Sequence, residues 1–177
     1  MNIIILLSGP QGAGKSTYAE NICQMNPSAQ LVSRDALLME IYGTVYFDPY
    51  CGFPMDIYET MYKKIKDLIN ERKKHYHCVV IVDCWNGSCR DRTHLIGKFK
   101  EHDADKIICW KFITEYSLCK YWYQKREGDK FYSEHNFDMY HRTSENIEKD
   151  GFDGVSYVHP LQLQLLFPII LLKNSVN

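Results

Sequence analysis

The feature that leaves this chain the least freedom is Gly9-Pro10-Gln11-Gly12-Ala13-Gly14-Lys15-Ser16, which directly follows the apolar run Ile3-Ile4-Ile5-Leu6-Leu7 and opens a helical segment. Five consecutive branched apolar residues read as a strand covered on both faces, the pattern of a parallel sheet. A GxxxxGK[ST] loop between such a strand and a helix forms a concave anion site from successive backbone N–H groups and the helix N-terminus. Gly9, Gly12 and Gly14 permit unusual backbone angles and close approach of phosphates, with Ala13 between them in the same loop. Lys15 supplies a point charge to the β- and γ-phosphates, the Ser16 hydroxyl ligates Mg2+, and Thr17 adds a phosphate contact. A chance glycine-rich turn would have no reason to carry the strand before it and the helix after it. The expected ligands are ATP or another nucleoside triphosphate, with Mg2+.

Strands and helices alternate along the rest of the chain. After a helix from Ser16 to Met25, Gln30 to Ser33 reads as a short strand and Asp35 to Tyr42 as a helix stopped by Gly43. Thr44 to Pro54, rich in Gly, Pro and aromatics, reads as an ordered loop. Met55 to Lys74 carries Ile57, Met61, Ile65, Leu68 and Ile69 as a helical stripe. Cys78 to Val82 is a second doubly buried strand, stopped at Asp83. A helix from Arg90 to Glu101, a strand from Lys106 to Phe112, helices from Glu115 to Arg126 and Glu134 to Lys149, and a strand from Gly154 to Val158 complete the pattern. Such alternation predicts an α/β fold with a mostly parallel, doubly wound sheet. The 177 residues, 45% hydrophobic, suffice for the core of one domain, so residues 1–177 are expected to form a single unit; the tail after His159 has no legible pattern.

A net charge of −1 excludes a global positive field, so any nucleic-acid contact must use a local patch. Seven cysteines without a CxxC pair, and no basic segment ahead of the first strand, point to reduced thiols in a cytoplasmic compartment rather than a secreted disulfide scaffold or a zinc site. The longest apolar run, Leu161 to Leu172, is interrupted by Gln162, Gln164 and Pro168, so no membrane partner is expected.

Moving a phosphoryl group to a hydroxyl requires a carboxylate near the acceptor and cations around the transferring group. Asp35 follows the second strand and falls at the carboxyl edge of the sheet beside the phosphate loop; it is either the base or the cap of the next helix. Asp83 ends the run Val79-Val80-Ile81-Val82, where it can hold Mg2+ or the acceptor, or simply end the strand. Arg126, with Lys120, Lys125 and Lys130 as lesser candidates, lies where a basic lid of about residues 115–140 would close over the nucleotide. Trp85, just past Asp83, is placed to stack on a ring, whereas Tyr46, Phe47, Tyr50 and Phe53 serve equally well as loop packing. The chain carries no NKxD or DxxG motif in the places a switch GTPase would need them, which favours a small kinase.

Gly9 to Thr17, Ser33-Arg34-Asp35, Val79 to Asp83 followed by Asn86, and Lys125-Arg126 together resemble the polynucleotide 5′-hydroxyl kinase domain of the phage type, over roughly Ile3 to Val158. The resemblance implies an adenylate-kinase-like P-loop architecture with a five-stranded sheet in the order 2-3-1-4-5 and a helical lid. It implies Lys15 and Ser16 as phosphate and Mg2+ contacts, Asp35 as general base, Arg126 as lid arginine and Asp83 as an acceptor-site and metal residue. Single-stranded DNA or RNA ends would then be the acceptors. Where the family carries an arginine three residues after the aspartate, this chain has Leu38; Arg90 or Arg92 can substitute, or the acceptor has no phosphate there. A kinase for a modified nucleobase, nucleoside or other small hydroxyl compound is the alternative, and a nucleotide-dependent binding module with weak ATPase activity is the alternative of another class.

Overall fold

The computed structural model describes residues 1–47, 52–72, 78–128 and 130–161. Expectations for Tyr50, for the helix end at Lys73 and Lys74, and for the tail beyond Leu161 lie outside the described residues.

The first apolar run forms β1 (Asn2–Ser8), buried along its whole length, and this fixes it as the centre of the sheet. It pairs in parallel with β3 (Cys78–Asp83) on one side and β4 (Lys106–Phe112) on the other. β2 (Ala29–Ser33) and β5 (Gly154–Val158) add parallel edges, giving the order β2-β3-β1-β4-β5. Alternate residues of each strand face opposite sides. Ile4, Leu6, Val80 and Val82 pack on α2 (Arg34–Tyr42), α3 (Asp56–Arg72) and α4 (Cys89–Glu101) through Leu38, Met61, Ile65 and Phe99. Ile3, Ile5, Val79 and Ile81 pack on α1 (Lys15–Met25) and α5 (Tyr116–Glu127) through Tyr18, Ala19, Ile22 and Cys119. Helices on both faces are what a strand apolar on both sides demands.

One expected helix is shorter than its pattern. The segment Glu134 to Lys149 divides into α6 (Glu134–Thr143) and a short 3-10 turn (Ile147–Lys149). Buried cations draw its carbonyls out of the helical ladder: Arg92 donates to the Thr143 carbonyl (2.8 Å) and Lys111 to that of Ser144 (2.7 Å). Satisfying two buried charges outweighs one more turn of helix. Among the described residues no helix is long and apolar enough to cross a membrane.

All the parallel strands point the same way, so their carboxyl ends gather at one edge. Ser33 stands opposite Asp83 in register, and Leu6 opposite Val82. The glycine loop, Asp35 and Asp83 therefore emerge side by side, where a doubly wound sheet places its ligands.

Candidate functional site

The glycine loop is held from behind and left open in front. Gly12 (φ 77°) and Gly14 (φ 83°) both adopt left-handed backbone. A Cβ on Gly12 would lie 2.3 Å from the Cys119 carbonyl oxygen, so the loop rests directly on the backbone of α5. Thr114 Oγ1 donates to the Ala13 carbonyl (3.0 Å), and the Tyr132 hydroxyl to the Gln11 carbonyl (2.6 Å). Gly14 is the N-cap of α1 and supplies no capping side chain. The N-terminus of α1 is therefore not closed by a capping side chain, the condition under which a helix N-terminus takes an anion.

Lys15 folds back over the loop, its Nζ donating to the carbonyls of Gly9 and Pro10, each at 2.9 Å. Burial pushes its pKa down, Asp83 and Asp35 push it back up, and Arg126 adds to the lowering. Asp83, Asp35 and Arg126 thus each lie within electrostatic reach of Lys15. Ser16 Oγ donates to Asp83 Oδ2 at 2.6 Å. The hydroxyl and carboxylate of this pair are hard oxygen donors, a pair suited to Mg2+ that phosphate oxygens and water would complete. Among the described residues no cluster of three or more His, Cys, Asp or Glu side chains forms a separate metal site.

Asp35 does not cap α2. Ser33 does, accepting from the Ala36 N–H at 3.3 Å, and Asp35 stands in the first helical turn with its side chain 59% exposed. Arg34 donates twice, at 2.9 and 2.6 Å, both times to Oδ1. Asp35 and Asp83 share a cavity of about 230 Å³ with Gly9, Lys15, Arg34 and Trp85. Thr17 and Arg126 border a separate cavity of about 460 Å³ with Gly12, Gly14, Trp122 and Pro160. The loop is thereby flanked by two cavities, with the carboxylates facing one and Arg126 the other. Arg126 is paired with Glu127 (2.9 Å) and its guanidinium lies 6.0 Å from the Tyr123 ring centre.

Two expected substitutes for the missing arginine fare differently. Arg92 is 1% exposed and donates to Asp150 (2.5 Å), to the Asn86 carbonyl and to the Thr143 carbonyl, so it is a structural ion and cannot reach an acceptor. Arg90 is exposed but borders a neighbouring groove rather than the cavity of Asp35. Leu38 is fully buried in the core, which explains why an apolar residue stands there. Among the loop aromatics, Phe47 packs edge-on against Tyr42 and Phe53.

Asn86 and Tyr140 line the cavity and belong to a buried polar cluster whose pairing the sequence did not signal. Ser8 Oγ donates to Asn86 Oδ1 (2.7 Å) and shares a hydrogen bond with the Tyr140 hydroxyl (2.7 Å), while Asn86 Nδ2 donates to the Leu7 and Cys84 carbonyls. This ties the end of β1, where the loop begins, to the end of β3, where Asp83 sits. Trp122, one helical turn before Arg126 on α5, was findable from i, i+4 spacing.

A family model described as an AAA domain matches residues 4–147. No curated protein matched the chain. Among solved structures, one chain of the Pnkp1/Rnl/Hen1 RNA repair complex superposes with a TM-score of 0.61 at 22% identity, covering 82% of this chain and 46% of that one. A fungal RNA kinase superposes with a TM-score of 0.61 at 15% identity, covering 99% of this chain and 46% of the other. This chain thus spans just under half the length of either neighbour. Shikimate kinase from Acinetobacter baumannii, solved with shikimate, superposes at 0.56 and 12% identity over 99% of this chain and 95% of its own. These likenesses show the fold, which is that of a P-loop kinase, and the match over residues 4–147 makes this chain a member of the AAA domain family.

Proposed function

We propose that this protein transfers the γ-phosphate of ATP to a hydroxyl group, with the 5′-hydroxyl of a polynucleotide as the favoured acceptor. The observation that carries the reading is one cavity in which the open phosphate loop with Lys15 faces two carboxylates, Asp35 and Asp83.

In this reading the loop amides and Lys15 hold the β- and γ-phosphates, and Lys15 leaves the Gly9 and Pro10 carbonyls to do so. Ser16 and Asp83 are the residues that would hold Mg2+, whose charge would offset that of the phosphates. Asp35 orients the acceptor hydroxyl and takes its proton; both Arg34 contacts fall on Oδ1, so Oδ2 remains to accept. The acceptor oxygen forms a bond to the γ-phosphorus while the bond from that phosphorus to the β–γ bridging oxygen breaks, and ADP leaves. Arg126 exchanges Glu127 for the transferring group when residues 115–140 close as a lid. The ribose and base occupy the cavity of Thr17, Trp122 and Pro160.

The polynucleotide acceptor is supported by the Ser33-Arg34-Asp35 arrangement and by fold neighbours described as an RNA repair complex and an RNA kinase. A small hydroxyl acceptor is the second reading, favoured by the buried Leu38, which removes one phosphate grip, and by the near-complete mutual coverage with shikimate kinase. ATP labelled at the γ-position separates them. Label should move to 5′-hydroxyl oligonucleotides; movement to small hydroxyl compounds alone favours the second reading, and release only as free phosphate contradicts both.

A further inference from the structure

Beside the cavity of Asp35 lies a larger groove of about 840 Å³, and the two share Arg34 and Trp85 as a common wall. Trp85 is 55% exposed and borders both cavities, so its ring face is open to a ligand in either. It is nevertheless fixed in place. A Cβ on Gly87 would lie 2.5 Å from the Trp85 ring, so only glycine there lets the indole lie flat against the main chain. Gly87 is in turn anchored by Thr143, whose hydroxyl donates to its carbonyl at 2.5 Å. Phe53 and Tyr58 also line the groove, with the Arg34 guanidinium 5.5 Å from the Phe53 ring centre.

The charge of the groove limits what can fill it. Two arginines, Arg34 and Arg90, face three carboxylates, Asp56, Glu59 and Asp91, and Arg34 is already engaged by Asp35. No positive surplus remains for a phosphate chain. A flat, uncharged heteroaromatic ring with hydrogen-bonding edges suits such walls, since ring stacking tolerates any base and the carboxylates accept from exocyclic amines.

We propose that this groove binds the nucleobase attached to the accepting hydroxyl, stacked on Trp85, so that the acceptor is selected through its base rather than through the phosphate beside the hydroxyl. The inference rests on the phosphotransfer reading above. Continuity supports it: a base lying on Trp85 has its sugar at the shared wall and its hydroxyl in the cavity of Asp35. A nucleoside and the terminal nucleotide of a polynucleotide both carry this chemistry.

The test uses the full chain, γ-labelled ATP and three acceptors: a 5′-hydroxyl oligonucleotide, the same oligonucleotide with an abasic 5′-terminal sugar, and a free nucleoside. The abasic end should show a KM raised about tenfold or more, and Trp85→Ala should raise the KM of the normal end by a similar factor while the KM for ATP holds. Gly87→Ala, which moves the indole without removing it, should raise the acceptor KM in the same direction. Equal KM values for normal and abasic ends overturn the proposal and leave phosphotransfer standing. A free nucleoside accepting label as well as the oligonucleotide does supports selection through the base; a nucleoside KM raised above that of the oligonucleotide by more than the abasic penalty overturns it, because selection then runs through the phosphate or the strand. No transfer to any of the three, with ATP bound, overturns the functional reading itself. The groove is then decided by tryptophan fluorescence: nucleoside must quench the wild type and not Trp85→Ala, and equal or absent quenching rejects it.

Discussion

The two sides of the carboxyl edge are built from different materials. On the donor side, the phosphate loop is shaped by main chain: Gly12 and Gly14 in left-handed backbone, a helix N-terminus without a capping side chain, and carbonyls braced by Thr114 and Tyr132. On the side proposed for the acceptor and in the proposed lid, the groups on offer are exposed side chains: Asp35, Trp85, Arg126 and Tyr46, the last bonded to Glu127 at 2.6 Å. A backbone site recognises what every nucleoside triphosphate shares, and it tolerates little substitution. A side-chain site can be altered residue by residue without disturbing the fold, and in the proposed function acceptor choice resides there.

The largest effect should come from taking the charge out of the donor side. Lys15→Ala is expected to lower transfer by about 100- to 1000-fold and to weaken ATP binding, measured by single-turnover kinetics and by nucleotide titration. Undiminished transfer would show that the main-chain cradle needs no lysine. Next, Gly12→Ala should destabilise the fold by about 1–3 kcal/mol in urea unfolding, because it joins a strained φ to a Cβ pressed against the Cys119 carbonyl. A variant as stable as the wild type would mean that the loop is as adaptable as the acceptor side. The smallest effect belongs to the proposed lid. Glu127, held to about 2 by the Tyr46 hydroxyl and then by Lys130, lies below the ordinary carboxylate range near 4.3. A depressed carboxylate contributes stability above its unfolded pKa and loses it as pH falls through the folded one. Glu127→Gln should therefore cost under about 1 kcal/mol at neutral pH, and its difference from wild type should shrink between about pH 4 and pH 2. Hydrogen exchange across residues 116–134 would read this, and a pH-independent difference would remove the ionic clasp from the account.

The same contrast explains what could be read in advance. The apolar runs of β1 and β3, the glycine loop and the placement of Asp35 and Asp83 follow from local pattern and from one topological rule, so the sheet and the gathering of these residues at one edge were legible. Long-range side-chain partners were not. Tyr140 reaches Ser8 across 132 residues, Asp150 pairs with Arg92 across 58, and Tyr46 meets Glu127 across 81. No periodicity encodes such contacts. The equally long-range bonds of Arg92 and Lys111 to the Thr143 and Ser144 carbonyls broke the helix expected over Glu134 to Lys149, and the pairing with Asp150 withdrew Arg92 from the list of acceptor cations. Leu38 was visible as a departure from the family pattern, but its reason, burial against α3 and the sheet, required the packed structure.

The central claim is that the carboxylate facing the phosphate loop performs transfer rather than holding the fold together. It is tested most directly by Asp35→Asn, with single-turnover transfer from γ-labelled ATP to a 5′-hydroxyl oligonucleotide and ATP affinity measured on the same preparation. The expected result is a loss of about 100- to 10,000-fold in transfer with ATP affinity unchanged. Transfer at the wild-type rate would contradict the account.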